Sequence, residues 1–248
     1  MPIQNENNTM LIRADLHMHT VLSPCGDLDM SPANIIRIAR QKGLDMIGIT
    51  DHNSTRQASI IRDLGKEHGI QVLTGVEITT QEEMHCLAFF SDDQLLNEFQ
   101  QYLDLHLPAI PNNPDKFGYQ VVANIYDEII YQEEKLLISA LDQNIEQVEK
   151  KVSMLNGIFI PAHIDKPNFS ILSQLGFIPK DLHYDALELS PHITIETFLS
   201  SHPELQQAAI IQSSDAHYPE DIGKVFTPLQ LEDFNFESIR QTIQKLTY

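Results

Sequence analysis

The segment Asp15-Leu16-His17-Met18-His19-Thr20 holds two imidazoles one residue apart. On an extended backbone alternate side chains share a face, so His17 and His19 point together while Met18 points away. Such a pair can chelate a cation. The spacing returns near the other end in Ser213-Ser214-Asp215-Ala216-His217, where Asp215 and His217 share a face. Between them Asp51-His52, Glu77, His85 and His163 each lie beside a short apolar run. Imidazoles and carboxylates are ordinary ligands of divalent metals, and buried together they lack a reason to converge unless something offsets their desolvation. Metal binding is the expectation for this set.

The remaining polar candidates are read more plainly. His68, His106, His183, His192 and His202 are expected to be surface or hydrogen-bonded core histidines. Cys86 follows His85 and so faces the opposite side, as packing. Asp51 is expected to orient imidazoles rather than to bind a cation. Lys166, three residues past His163, is the candidate phosphate clamp, ahead of Arg13 and Arg56.

These residues need elements to position them, and the apolar pattern supplies a series. Strands are expected at 11–16, 46–50, 71–76, 85–90, 158–161, 186–189 and 208–212, with a further β-like run at 224–229. Ser31 as N-cap, Pro32 behind it and Gly43 at the close predict the first helix, and a second opens at Ser54 or Thr55 and ends at Gly69. Further helices are expected at 93–105, 142–156 and 236–246, the second of these with Ile145, Val148, Val152 and Leu155 on one buried stripe. Strand and helix alternate, which predicts an α/β fold with helices outside a mainly parallel sheet, and about seven strands suggest closure into a barrel. The candidate ligands follow the C-terminal ends of strands. His85 is the exception, at the start of its run, and an antiparallel strand there would bring it to the same mouth.

With 248 residues the chain fits one domain, 1–248, interrupted by an insertion at about 108–141 that is rich in proline and could hold a hairpin at 119–131. Its formal charge of −19, from 35 acidic against 16 basic residues, repels polyanions, so long nucleic acid is not expected as a partner. No run approaches the roughly 20 apolar residues of a membrane helix, and the polar start has no apolar signal region, so a cytoplasmic protein with no membrane contact is expected. Two cysteines give no disulfide framework. A Walker-type glycine loop and a dinucleotide fingerprint are both missing, so any phosphate chemistry would use metals.

In their order along the chain, Asp15-Leu16-His17-Met18-His19-Thr20, Ile49-Thr50-Asp51-His52-Asn53, Gly75-Val76-Glu77, His85, Pro161-Ala162-His163 and Ser214-Asp215-Ala216-His217 resemble the motifs of the polymerase and histidinol phosphatase (PHP) superfamily. The resemblance runs from Leu11 to His217. It implies a distorted seven-stranded (β/α) barrel binding two or three divalent ions, zinc, manganese or iron, with phosphoesterase activity. By the same resemblance His17, His19, Glu77 and Asp215 would hold one metal, and Glu77 would bridge to a second held by His85 and His163. A third would be held by His52, His217 and a ligand from the loop Ser23-Pro24-Cys25-Gly26-Asp27, where Cys25 fits the spacing best and Asp27 is its rival. A thiolate there would favour zinc.

The expected reaction is hydrolysis of a phosphate ester of a small metabolite or nucleotide by a metal-bridging hydroxide, with Asp215 or His217 passing a proton to the leaving oxygen. The insertion at 108–141 is expected to form the lid that selects the substrate. Three alternatives stand beside this reading: a nuclease for short oligonucleotides, an amidohydrolase-type enzyme, and a non-catalytic metal-binding regulator.

Overall fold

Alternating apolar residues form the first strand, β1 (Met10–Met18), in the computed structural model, which describes residues 9–248. The polar stretch at 1–8, read above as lacking a signal region, lies outside the described residues. Helix α1 (Pro32–Lys42) follows with Pro32 in its first turn and Gly43 ending it at φ 70°, a left-handed conformation in which an L side chain would be strained. Ser31 does not cap this helix with its side chain. Its hydroxyl instead donates to Asp127 at 2.8 Å, tying the helix start to a distant loop.

Next come β2 (Met46–Ile49), α2 (Ala58–His68), β3 (Gln71–Thr79), β4 (His85–Phe90) and α3 (Asp93–His106). Helix α2 starts later than expected, because the Thr55 amide and hydroxyl both donate to Gln100 Oε1, at 2.6 and 2.9 Å. Residues 108–141 hold the short helix α4 (Pro114–Phe117) and a hairpin of β5 (Val121–Ala123) with β6 (Ile129–Gln132). Helix α5 (Ile145–Met154) opens on a reciprocal cap between Asn144 and Gln147 and buries Ile145, Val148 and Val152. The chain continues through β7 (Ile158–Pro161), α6 (Ile171–Leu175), β8 (Leu187–Leu189), α7 (Ile195–Ser201), β9 (Ile210–Gln212), β10 (Thr227–Leu231) and α8 (Phe236–Gln244). Helices α6 and α7 were not expected from the pattern; both are short.

Six strands form one curled sheet in the order β10-β1-β2-β3-β4-β7. β1, β2 and β3 are parallel, and β4 runs antiparallel between β3 and β7. A continuous seven-stranded ladder is not what forms among the described residues. β10 takes the outer edge of β1, and β8 with β9 makes a separate parallel pair. Main-chain bonds attach the pair to the sheet: the Asp185 amide donates to the Phe159 carbonyl at 2.9 Å and the Ile164 amide to that of Glu188 at 2.8 Å, while the His19 amide donates to the Ala216 carbonyl at 2.9 Å and the Ala216 amide to that of His17 at 3.2 Å.

The faces of the strands sort the core. Leu73, Leu87, Phe89, Ile158, Ile160 and Ile211 pack together with Ile239 and Ile243 of α8. On the other face Ile47 and Ile49 meet α1 and α2, while Val76, Ile78, Cys86, Ala88 and Phe90 meet α3 and α5. β1 changes allegiance along its length. Ile12, Ala14 and Leu16 belong to the inner cluster, whereas Met18 belongs to the helix side. The change coincides with an irregularity in pairing with β2 between Asp15 and Met18, the sort of local slip that re-aims side chains. Among the described residues, no helix is long and apolar enough to cross a membrane.

Gly48 of β2 sits directly against this bend. A Cβ built there would lie 2.3 Å from the Leu16 carbonyl oxygen, a backbone atom that cannot rotate away. Gly48→Ala is therefore expected to destabilise the fold by roughly 1–3 kcal/mol, the usual range for overpacking. Chemical denaturation measures it, and an unchanged midpoint would contradict the close approach.

Candidate metal centre

Glu77 lies on the inner face of β3 and is almost wholly buried. Its Oε1 is 2.9 Å from His85 Nδ1, 3.1 Å from His163 Nε2 and 3.3 Å from His17 Nε2. Its Oε2 is 3.0 Å from His52 Nδ1 and 3.3 Å from His19 Nε2. Five imidazoles from four segments of the chain thus surround one carboxylate. Asp215 closes the group, with Oδ1 at 3.4 Å from Nε2 of both His17 and His19. The antiparallel turn from β3 into β4 brings His85 opposite Thr79 and so to the same mouth.

Two of these residues reach the centre through unusual backbone. Ile158, Ile160 and Ala162 share the inner cluster, so strict alternation would turn His163 outward. His163 has φ 30°, and Asp215 has φ 52°. Such conformations cost energy for residues other than glycine and are found where surrounding structure holds a functional side chain in place.

Behind the imidazoles stands a layer of buried acceptors. Glu188 on β8 accepts from His17 Nδ1 at 2.9 Å and from the His163 amide at 3.1 Å. Asp51 accepts from the Thr20 amide and hydroxyl at 2.7 and 2.8 Å and from the Ser23 hydroxyl at 2.7 Å. Ser23 Oγ in turn lies 2.9 Å from His19 Nδ1. Asp51 therefore orients an imidazole through a serine, in keeping with the supporting role expected for it. Asp15 accepts from the Ser214 amide and hydroxyl and from the Gly223 amide, fixing the loop that carries Asp215. Burial pushes the Asp15 carboxyl up to about 6.

The loop after β1 supplies Cys25. Ligand atoms of His19, Cys25, His52 and His217 all lie within 4.8 Å of one another. Asp27, its rival, spends its carboxylate on the Asp29 amide at 2.8 Å and does not join this group. Lys166 donates to Asp215, at the rim of the centre. Arg56 instead pairs with Asp104 at 2.8 Å, and Arg13 lies 4.3 Å over the Phe226 ring; neither joins the cluster.

The electrostatics show what the side chains require. Burial disfavours a charge on His17, but Glu188, Asp215 and Glu77 outweigh it and hold the imidazole well above its ordinary range. His19 is raised against the same burial by the Asp215 and Glu77 carboxylates beside its Nε2. Burial opposes ionisation of Glu77 too, yet the charges of His85, His17 and His52 hold it well below the carboxylate range. Asp215 is likewise held low by His17 and His19 against burial. Burial lowers His52 to about 4 and, with the charge on His19, His217 to about 3. Within this crowd Glu77 Oε2 and His52 Nδ1 are buried without a hydrogen-bond partner, although they face each other. Orphaned buried donors and acceptors of this kind, in an N, O and S set, suit divalent cations.

Sequence reasoning missed Glu188. Its signal was present: a carboxylate inside the apolar run Ala186-Leu187-Glu188-Leu189 is costly unless something buried receives it.

A sequence profile of the PHP domain family matches residues 15–246. An uncharacterized protein of Methanocaldococcus jannaschii is 37% identical over 90 residues, which make up 33% of this chain and 53% of that protein, so the match spans about half the relative's length. Among solved structures, the lesion-specific endonuclease Q of Pyrococcus furiosus superposes with a TM-score of 0.71 at 19% identity, over 95% of this chain and 56% of that one. Endonuclease Q in complex with a 27-mer duplex bearing an abasic lesion at the active site gives 0.69 at 19% identity, over 95% and 57%. A Bifidobacterium adolescentis protein provisionally described as a metal-dependent phosphoesterase gives 0.61 at 18% identity, over 95% and 96%. At these identities the structures share a fold with this chain.

The expectation that long nucleic acid is excluded is corrected by these comparisons, since the same fold holds a DNA duplex in endonuclease Q. Net charge sums over the whole surface, whereas a phosphate entering the mouth meets local groups. Cations bound there would be the largest local charges, and distant surface carboxylates are screened within about 8–10 Å at ordinary salt.

Because His17 and His19 carry protons that a cation must displace, zinc binding is expected to release protons and to weaken as pH falls. Calorimetry in buffers of different ionisation enthalpy measures this, and identical heats in all buffers would refute it. Glu188→Gln, which weakens the acceptor behind His17, is expected to lower zinc affinity about 10–100-fold; competition with a chelator of known affinity reads the change.

Proposed function

We propose that this chain, which belongs to the PHP domain family, is a metal-dependent phosphoesterase acting on the phosphate ester of a small metabolite or a nucleotide. The observation that carries this reading is the packing of five imidazoles within 3.3 Å of the buried Glu77 carboxylate. His17, His19, Glu77 and Asp215 would hold one ion, and Glu77, His85 and His163 a second. His52 and His217, with Cys25, would hold a third. Zinc, manganese or iron bound there supplies Lewis acidity, making water acidic enough to attack near neutral pH and neutralising charge on the phosphoryl oxygens.

The chain's own residues do the rest. Lys166 stays protonated, since Asp215 offsets the effect of burial on its ammonium. It is the one Lys or Arg side chain, among the described residues, that reaches the carboxylates of the centre, which suits orientation of a single phosphoryl group. Asp215 and His217 are both held deprotonated, the form in which each offers a lone pair to a cation. The His217 Nδ1–H donates to the Asp215 carbonyl at 2.9 Å, which leaves Nε2 for the centre. The chain reads as one domain in which the insertion at 108–141 borders the entrance. The Val121 amide donates to the Val21 carbonyl, and the Gln57 side chain clasps Ala123 from both sides of its peptide. The insertion thus forms the wall beside the Cys25 loop, where a leaving group would lie.

A second reading, cleavage of a phosphodiester in nucleic acid, is favoured by the likeness to endonuclease Q. A substrate panel separates the two: 4-nitrophenyl phosphate and nucleoside monophosphates against bis(4-nitrophenyl) phosphate and an abasic duplex, each with zinc- or manganese-loaded protein. Turnover of monoesters is expected. Turnover of diesters alone would move the assignment to the second reading, and no turnover of any phosphate ester would sink both. His17→Ala with His19→Ala is expected to lose bound metal and all activity while remaining folded. Lys166→Ala is expected to lower kcat/KM about 10–100-fold, a loss of ~1.4–2.7 kcal/mol of transition-state binding.

A further inference from the structure

Among the ligands gathered here, one differs in chemistry and in access. The atoms of His19, His52 and His217 that lie within 4.8 Å of Cys25 Sγ are nitrogens, and only the sulfur is oxidised under mild conditions. His19 and His52 are buried and His217 is partly so, whereas Cys25 is exposed at the outer end of the group. His52 presents Nδ1 to Glu77 Oε2 at 3.0 Å, which leaves its Nε2 for a cation at this position, just as the hydrogen bond from Nδ1 leaves that of His217.

We propose that Cys25 is an oxidisable ligand of the third cation position, so that peroxide expels the cation from this position alone. The inference rests on the metal-centre reading and adds a means of regulating it. In the step, the Cys25 sulfur, which between desolvation and its acidic neighbours is a thiolate only while it holds a cation, attacks one oxygen of hydrogen peroxide. A sulfur–oxygen bond forms, the oxygen–oxygen bond breaks and hydroxide leaves; sulfur gives up two electrons and the peroxide is reduced. The product is a sulfenic acid, a poorer donor to a divalent ion than the thiolate it replaces. No intramolecular disulfide follows. Cys86, the other cysteine, is buried in β4 on the helix side among Val76, Ile78 and Phe90. Recovery therefore requires an external thiol of the glutathione class, which condenses with the sulfenic acid, releasing water, and is then exchanged off by a second thiol.

The test uses the whole zinc-loaded protein and hydrogen peroxide, with released zinc read by a chromogenic chelator and sulfenic acid trapped by dimedone. Release of one equivalent is expected, with the dimedone adduct on Cys25 and reloading after glutathione and zinc are added. Cys86→Ser is expected to behave as the parent, and Cys25→Ser to release nothing in response to peroxide. Cobalt gives a second reading: a sulfur-to-metal charge-transfer band in the parent that is absent in Cys25→Ser, while the ligand-field bands of cobalt on the remaining ligands persist. Cobalt bound without a sulfur band, or equal peroxide-driven release in Cys25→Ser, would overturn the role of the thiol and leave the metal centre standing. A protein that binds neither zinc nor cobalt would overturn both.

Discussion

A buried carboxylate has to be answered by positive charge, and in this chain the rest of the architecture is arranged around that requirement at Glu77. The residue is about 1% exposed and faces five imidazoles, two of which, His52 and His163, burial pushes toward neutrality. Protons on His17 and His19 meet part of the demand. The orphaned atoms on Glu77 and His52 show that they do not meet all of it. Divalent ions would complete such a set, and the supporting carboxylates aim the imidazoles, Glu188 that of His17 directly and Asp51 that of His19 through Ser23.

Much of this was legible in the sequence, because alternation on a strand is a strict rule. Glu77 and His85 follow it: Leu73 and Gly75 precede Glu77 on the inner face, and Leu87 and Phe89 follow His85 there. Two other ligands were found by residue type although the rule would have misplaced them. With Ile12, Ala14 and Leu16 inward, His17 would point to the helices but for the slip between Asp15 and Met18. His163 follows an inward Ala162 and is turned by its positive φ. A bulge and a left-handed residue have no reliable signature in histidine spacing, so the constellation could be read while the means of aiming it could not.

The sheet shows the same division. Strand positions came close because apolar runs bounded by turn residues mark them well. Their pairing did not, since register and edge order depend on contacts between remote segments. Nothing in residues 224–229 says that the run beginning there will close the outer edge of β1, as β10 does over Thr227–Leu231. Total charge misled for a related reason: it is a property of composition, whereas admission to a pocket is decided by the few groups at its mouth.

Asp15 joins the first strand to Ser214 and Gly223, across some two hundred residues. The centre therefore draws on segments made far apart in time. Emerging from the ribosome, His17 and His19 wait for some two hundred further residues before Asp215 and His217 arrive, and no nascent chain ending ahead of them carries the full set of candidate ligands. Any cation held before then would sit in a partial shell of His17, His19, Glu77, His85 and His163, lacking the Asp215 carboxylate and the His217 imidazole.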